Sequence, residues 1–80
     1  MKTLISILKI YGIKKVLIND NKNLDVVILK KDKELSLNDW LNLNIALRRA
    51  YKKEVNYLTE KEALFIYEND LSRFVEVNYE

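Results

Sequence analysis

Two segments, ILKIYGIKKVLI (residues 7–18) and NLDVVIL (residues 23–29), decide the fold of this 80-residue chain. The first begins with apolar residues at helical spacing and reaches Gly12, where a helix needs a left-handed residue at its end. It continues as a β-branched run that is typical of a strand. The second segment is apolar on both faces of an extended chain, which predicts a central strand covered on both sides.

The remaining sequence alternates helical and extended patterns. Ser36 and Asp39 form a capping box, the arrangement that opens many helices, and Thr59 and Glu62 form a second one. The predicted elements are a helix over 4–11, strands over 13–18 and 24–30, a helix over 36–53, a strand over 54–58 and a final helix over 71–80, with residues 63–68 open between helix and strand.

The long helix has an apolar stripe that is predicted to face the sheet. Together the elements predict an α+β fold, a small mixed sheet of three or four strands with helices packed on it, in a single domain over residues 1–80. The stripe contains Leu37, Trp40, Leu41, Asn44, Leu47 and Tyr51, and is widened by Leu43, Ala46 and Ala50.

Composition limits the chemistry that this chain can perform. It contains no cysteine and no histidine, so disulfides and thiolate or imidazole metal sites are excluded. No apolar run reaches the roughly 18 residues that a membrane span needs, and Lys9 interrupts the apolar N-terminus, so we expect a cytoplasmic protein. A chain this short has a small core, which favours stabilisation by a partner or by self-association.

Charge is distributed unevenly along the chain. The formal net charge is only +2, but residues 1–59 carry +6 and residues 60–80 carry −4. An acidic C-terminal segment could attract a basic partner surface. The alternative is that these charges are solvated faces of helices with no specific role.

Taken in order, these segments resemble the small MNT-type nucleotidyltransferases of the DNA polymerase beta-like superfamily. YGIKKVLI resembles the first strand of that family, and NLDVVIL resembles its metal-binding strand. KEVNYL (residues 53–58) and IYENDLSRF (residues 66–74) resemble the next strand and the approach to the last helix. The resemblance covers nearly the whole chain and implies a nucleotidyltransferase-like fold, shortened between the first two strands.

The resemblance also identifies a degenerate metal site. Family members hold two metal ions with an Asp-x-Asp pair and a third carboxylate on the neighbouring strand. The matching positions here are Asn23, Asp25 and Asn56, so two of three carboxylates are neutral amides. Asn19 and Asp20 replace the Gly-Ser that contacts phosphates. We therefore predict no nucleotidyltransferase activity, no catalytic residue, no bound metal and no cofactor.

Two interpretations of Asp25 remain open at this point. It could be a residual ligand for a metal or nucleotide. It could instead be a carboxylate at the end of a strand that faces solvent or pairs with a lysine such as Lys14 or Lys15.

The resemblance implies a binding function. MNT-type proteins are commonly encoded beside a HEPN-domain protein, an all-helical RNase-type toxin that the MNT member neutralises. This chain could be an antitoxin that masks its HEPN partner. We predict that the acidic C-terminal segment contributes the contact, through Tyr67, Glu68, Asp70, Phe74, Glu76 and Tyr79.

Three alternative functions remain open at this point. Some family members transfer AMP to a toxin tyrosine, and a residual enzyme of this kind would need Asp25 and further acids. A small RNA- or DNA-binding module is possible but not favoured, and a homo-oligomer of another role is also possible. The nucleic-acid hypothesis depends on a basic surface with Tyr51 and Tyr57 for stacking, formed by Lys14, Lys15, Lys30, Lys31, Lys33, Arg48, Arg49, Lys52 and Lys53.

Overall fold

The opening helix and hairpin form as predicted in a computed structural model that describes residues 2–78. Helix α1 (Lys2–Ile10) ends beside Gly12, whose φ of 75° turns the chain directly into strand β1 (Ile13–Asp20). β1 pairs antiparallel with β2 (Leu24–Lys31). The connection between them is the turn at residues 21–23, so this hairpin has no room for an intervening helix.

The two capping boxes are confirmed, and each opens a helix. Ser36 Oγ accepts from the Asp39 backbone N–H and begins α2 (Leu37–Tyr51). Thr59 Oγ1 accepts from the Glu62 N–H at the start of α3 (Glu60–Ile66). Most of residues 63–68, for which the sequence pattern allows both helix and strand, are therefore helical. Between the helices, β3 (Val55–Thr59) adds to β2 in parallel, as expected when a helix connects two strands.

The predicted final helix over residues 71–80 is wrong in its described part. Residues Val75–Asn78 form strand β4, which pairs antiparallel with β1 and places Val77 beside Val16. The Val-Glu-Val alternation suits a half-buried strand, and β1 would otherwise present an open edge. Pairing with β1 therefore overrides a weak helical pattern in this segment. Residues 79 and 80 lie outside the described part of the chain.

The mixed sheet has the strand order β3-β2-β1-β4, which confirms the interior position of β2. α1 and α2 contact each other, and the buried residues of α1, α2 and one sheet face form a single apolar core. α3 contacts β2 and β3, and Val27 and Ala63 are fully buried outside that core. The main core contains Leu4, Leu8, Ile13, Val16, Ile18, Leu24, Val26, Leu35, Leu43, Leu47, Val55 and Val77.

The predicted stripe of α2 is correct in part. Leu43 and Leu47 are fully buried, and Trp40 packs against the core, where its ring meets that of Tyr57 edge to face at 5.2 Å. Leu37 and Leu41 are exposed, contrary to the prediction. Helix α2 is rotated about its axis so that Leu43 and Leu47 face the core. This rotation places Leu37 and Leu41 on a side of the helix that is exposed to solvent.

Truncation within α1 tests the position of the core. Leu8 is 0% exposed and Ile10 is 75% exposed on the same helix. We expect Leu8→Ala to lower the free energy of unfolding by about 2–5 kcal/mol, through lost burial and a new cavity. Ile10→Ala is the matched control and should change it by less than about 0.5 kcal/mol. Urea unfolding followed by circular dichroism measures both, and equal losses would contradict the assigned packing.

Candidate functional site: the polar cluster around Asp25

The three residues predicted to be the remnant of a metal site lie around one surface groove. Asn23, Asp25 and Asn56 all line this groove, which has a volume of about 480 Å³, together with Ile66 and Tyr67. The parallel register of β2 and β3 pairs Asp25 directly with Asn56. Alternation along β2 puts Asp25 on the face opposite to buried Leu24 and Val26.

Both oxygens of the Asp25 carboxylate accept hydrogen bonds from other parts of the fold. Asn56 Nδ2 donates to Asp25 Oδ1 at 2.9 Å, and the Tyr67 hydroxyl donates to Asp25 Oδ2. We call Asp25, Asn56 and Tyr67 the Asp25 cluster. The suggested pairing of Asp25 with Lys14 or Lys15 is not seen, because these lysines pair with Asp32 and Glu76 at 3.4 and 3.0 Å.

Tyr67 is positioned by the end of α3 and by the turn that follows. Its backbone N–H donates to the Ala63 carbonyl at 2.9 Å, and its ring meets that of Phe74 edge to face at 5.0 Å. The next residues, Glu68 and Asn69, have φ values of 54° and 64°. Left-handed backbone is unfavourable for Glu, so this turn holds local strain while it redirects the chain towards β4.

The hydrogen bond from Tyr67 has an electrostatic consequence. It raises the pKa of the Tyr67 hydroxyl above its usual value of 10.0, chiefly because the acceptor is the Asp25 carboxylate and secondly because of burial. Tyr67 therefore remains a protonated donor at neutral pH. The cluster then combines one carboxylate with two neutral donors, a stable hydrogen-bonded arrangement.

A divalent cation would find few available oxygens here. Hard cations bind several carboxylate or carbonyl oxygens, and Asp25 is the one carboxylate among these three positions, beside the neutral amides of Asn23 and Asn56. Each Asp25 oxygen also accepts one hydrogen bond, from Asn56 or from Tyr67, so a cation would compete with these donors for the carboxylate. Within residues 2–78 the structure contains no group of three or more Asp, Glu, His or Cys side chains that could hold a metal ion.

Asn19 and Asp20, which are predicted to replace a phosphate-binding Gly-Ser, also make contacts within the fold. Asn19 is buried in β1, and Asp20 follows it at the strand end. Lys53, which lies between α2 and β3, forms an ion pair with Asp20 and also donates to the backbone carbonyl of Asn21. Lys53 therefore links the turn between β1 and β2 to the segment between α2 and β3, which gives Asp20 a structural contact.

The residues predicted to bind a partner fall into two groups. Tyr67 and Phe74 are half-buried and pack on each other, so their rings support the fold. Glu68 and Asp70 are exposed at the turn after α3, and Glu76 is exposed on β4, where it pairs with Lys15. Tyr79 lies outside the described residues.

Sequence reasoning missed the most exposed large apolar side chains near this groove. Phe65 is 86% exposed and Ile66 is 57% exposed, both on α3. The capping box at Thr59 predicts where helix α3 begins. Ala63 is the buried residue of that helix, and a side chain two residues later points to about the opposite side, so Phe65 points away from the sheet.

The predicted basic surface is largely interleaved with acids. Lys14, Lys15, Lys31, Arg48 and Lys53 each pair with a nearby carboxylate. Such exposed pairs add little to stability, but they reduce the positive potential available to a phosphate backbone. The ion pairs therefore weaken the nucleic-acid hypothesis.

Comparisons of this chain with family models, with curated proteins and with solved structures find no match. Among the described helices, none has both the length and the apolar character needed to cross a bilayer. The site is therefore interpreted from its own geometry.

Removing one hydroxyl tests the Asp25 cluster. Tyr67→Phe deletes the donor to Asp25 and should lower the free energy of unfolding by about 1–2 kcal/mol. Tyr57→Phe is a matched control, because the Tyr57 hydroxyl is buried and has no hydrogen-bond partner among the described residues. That change should be neutral or slightly stabilising. Chemical denaturation at neutral pH compares the two, and equal effects would contradict the assigned bond.

The same variant predicts a dependence on alkaline pH. Since the Tyr67 pKa is higher in the folded than in the unfolded protein, the stabilisation is complete below about pH 10. It decreases as pH rises through the folded-state pKa. The stability advantage of the wild type over Tyr67→Phe should thus be constant from about pH 7 to 9 and smaller at about pH 11. An advantage that grows with pH would refute the assigned donor.

Proposed function

We propose that this chain is a catalytically inactive nucleotidyltransferase-like domain that acts by binding another protein. Its role would be that of an antitoxin, which neutralises a HEPN-type RNase toxin in the cytoplasm. The observation that carries this proposal is the engagement of both Asp25 oxygens by Asn56 and Tyr67. Asp25 and Asn56 bond to each other and Asp25 accepts from Tyr67, which supports a structural role for them and assigns the proposed function to the surface.

The surface formed by α3 and the turn after it suits such a partner. Phe65 and Ile66 provide exposed apolar area of the kind that anchors protein interfaces. We define the α3 surface as these two residues with the exposed acids around them in sequence. Those acids are Glu60, Glu62, Glu68 and Asp70, and exposed Lys61 lies among them, so four negative charges and one positive charge give this surface a net charge of −3.

Charge complementarity explains how binding would neutralise the toxin. An RNase needs a basic surface to hold the phosphate backbone of its substrate. The α3 surface is acidic and could cover such a surface, steering the encounter electrostatically and excluding RNA by occupancy. This mechanism uses neither ATP nor a metal ion, so it is compatible with the Asn23, Asp25 and Asn56 set.

Co-expression with the product of the adjacent gene tests the proposal. Size-exclusion chromatography with light scattering should show a complex of defined stoichiometry, and RNase activity should be lost on mixing without ATP. A chain that never associates with that product would refute the antitoxin role. Neutralisation that requires ATP and magnesium would favour AMP transfer instead.

Variants of the α3 surface test how the complex forms. Phe65→Ala should weaken binding by at least about 30-fold, the effect expected of a central interface anchor. Reversing Glu68 and Asp70 to lysine together should abolish the complex by charge repulsion. Ile10→Ala and Glu34→Lys are controls of matched type on other surfaces. Calorimetric titration measures each affinity, and unchanged binding of both α3 variants would contradict the assignment.

A further inference from the structure

The Asp25 carboxylate differs from the other acids of the described strands in the groups that it contacts. Those acids, Asp20 and Glu76, each form an ion pair with a lysine. The donors to Asp25 are the amide of Asn56 and the hydroxyl of Tyr67, and neither carries a charge. The Asp25 cluster therefore holds this carboxylate in place without supplying a positive charge to balance it.

The groove around Asp25, which we call the Asp25 groove, also lacks a positive charge. Among the described residues, those that line it include no lysine and no arginine. Lys22 is exposed in the turn between β1 and β2, and Arg73 lines a neighbouring cavity together with Asp70. The Asp25 groove thus differs from the lysine-rich surface of the sheet, where basic and acidic side chains alternate.

The hydrogen bonds of the Asp25 cluster leave acceptor sites for a further donor. A carboxylate oxygen has two acceptor sites, and each oxygen of Asp25 uses one of them for Asn56 or Tyr67. The Tyr67 hydroxyl has only one proton, which it donates to Asp25. A molecule that complements these groups would donate hydrogen bonds to Asp25 and carry a positive charge.

We propose that the Asp25 groove binds the guanidinium group of an arginine side chain from the protein partner. Guanidinium is planar and weakly hydrated, so it can donate to Asp25 while it packs against the apolar side chains of Leu58 and Ile66, which also line the groove. A divalent metal ion needs several anionic oxygens, whereas one carboxylate balances the single charge of an arginine. The residues that suit a metal ion poorly therefore suit this group well.

Ile66 connects the Asp25 groove to the α3 surface. It lines the groove, and it is 57% exposed next to Phe65 in the sequence. A partner that covers the α3 surface would therefore bring its neighbouring side chains to the groove, and the basic surface of an RNase is a source of arginines. The inference rests on the proposed function for the identity of this partner, but the binding of guanidinium can be measured without the partner.

Titration of the purified chain with methylguanidinium tests the Asp25 groove, followed by nuclear magnetic resonance at constant ionic strength with a chelator present. The signals of Asn23, Asn56 and Tyr67 should shift in a saturable manner, with half-saturation below about 50 mM. Methylurea has a similar shape without the charge and should give no saturable shift. Shifts that remain linear with concentration, or that are equally large at exposed Asp32, would overturn the proposal. Equal affinity for methylammonium would overturn the choice of arginine.

Two substitutions change the charge of the groove in opposite directions. Asp25→Asn should abolish the saturable shifts, whereas Asp32→Asn is the matched control on another surface and should leave them unchanged. Asn23→Asp adds a second carboxylate to the groove and should tighten methylguanidinium binding by about threefold or more. Because unfolding cannot produce a gain in affinity, an Asn23→Asp variant that binds no more tightly would also overturn the proposal.

The outcome of this titration is separate from that of the toxin-binding experiment. A groove that ignores methylguanidinium would refute the arginine site and leave neutralisation through the α3 surface intact. A chain that never associates with the product of the adjacent gene would refute the antitoxin role, while saturable binding of methylguanidinium would still establish the groove as a guanidinium site.

Discussion

The hydrogen bonds to Asp25 join three parts of the molecule that are distant in sequence. Asp25 lies in β2, Asn56 in β3 and Tyr67 at the end of α3. Each bond is worth only about 1 kcal/mol in net terms, but breaking one would leave a carboxylate without its donor, which costs more. The cluster therefore holds the end of α3 against the sheet, and that position determines where Phe65 and the following acids are displayed.

The two faces of the sheet have different roles in this account. α1 and α2 cover one face and form the apolar core with the β1–β2 hairpin. The opposite face has the polar row of Asn56, Asp25 and Asn19, set by the registers of the three strands. In the proposed interpretation, Asp25 and Asn56 of this row, together with Asn23, correspond to the carboxylates of the resembling family. Asn56 and Tyr67 donate to the one acid among them, Asp25.

Local signals made much of the fold predictable. The capping boxes at Ser36 and Thr59, the glycine at position 12 and the apolar β2 strand each act over a few residues, and the structure forms the elements that they predict. The last segment was not predictable in this way. Its strand conformation depends on pairing with β1, more than 50 residues earlier in the chain, and no local pattern contains that information.

The sequence predicts which residues form the candidate site, but it does not predict the contacts that they make. Strand alternation and the family resemblance are enough to bring Asn23, Asp25 and Asn56 together. The sequence pattern places Tyr67 at a partner interface, and only the turn with left-handed Glu68 and Asn69 reveals how its hydroxyl reaches Asp25. Periodicity assigns Leu37 and Leu41 to the core, because it defines a helix face without defining the rotation of that face against the sheet.

Titration with Mn²⁺ under nuclear magnetic resonance tests the central claim most directly, since this paramagnetic ion broadens the signals of any residue beside it. The account predicts no selective, saturable broadening of the Asn23, Asp25 and Asn56 amides, because one carboxylate beside two neutral amides supplies too little negative charge and is also held by Asn56 and Tyr67. Saturable broadening confined to these three residues would show that the cluster opens to hold a metal ion. It would contradict the interpretation of this site as a structural cluster and return the chain to the class of candidate enzymes.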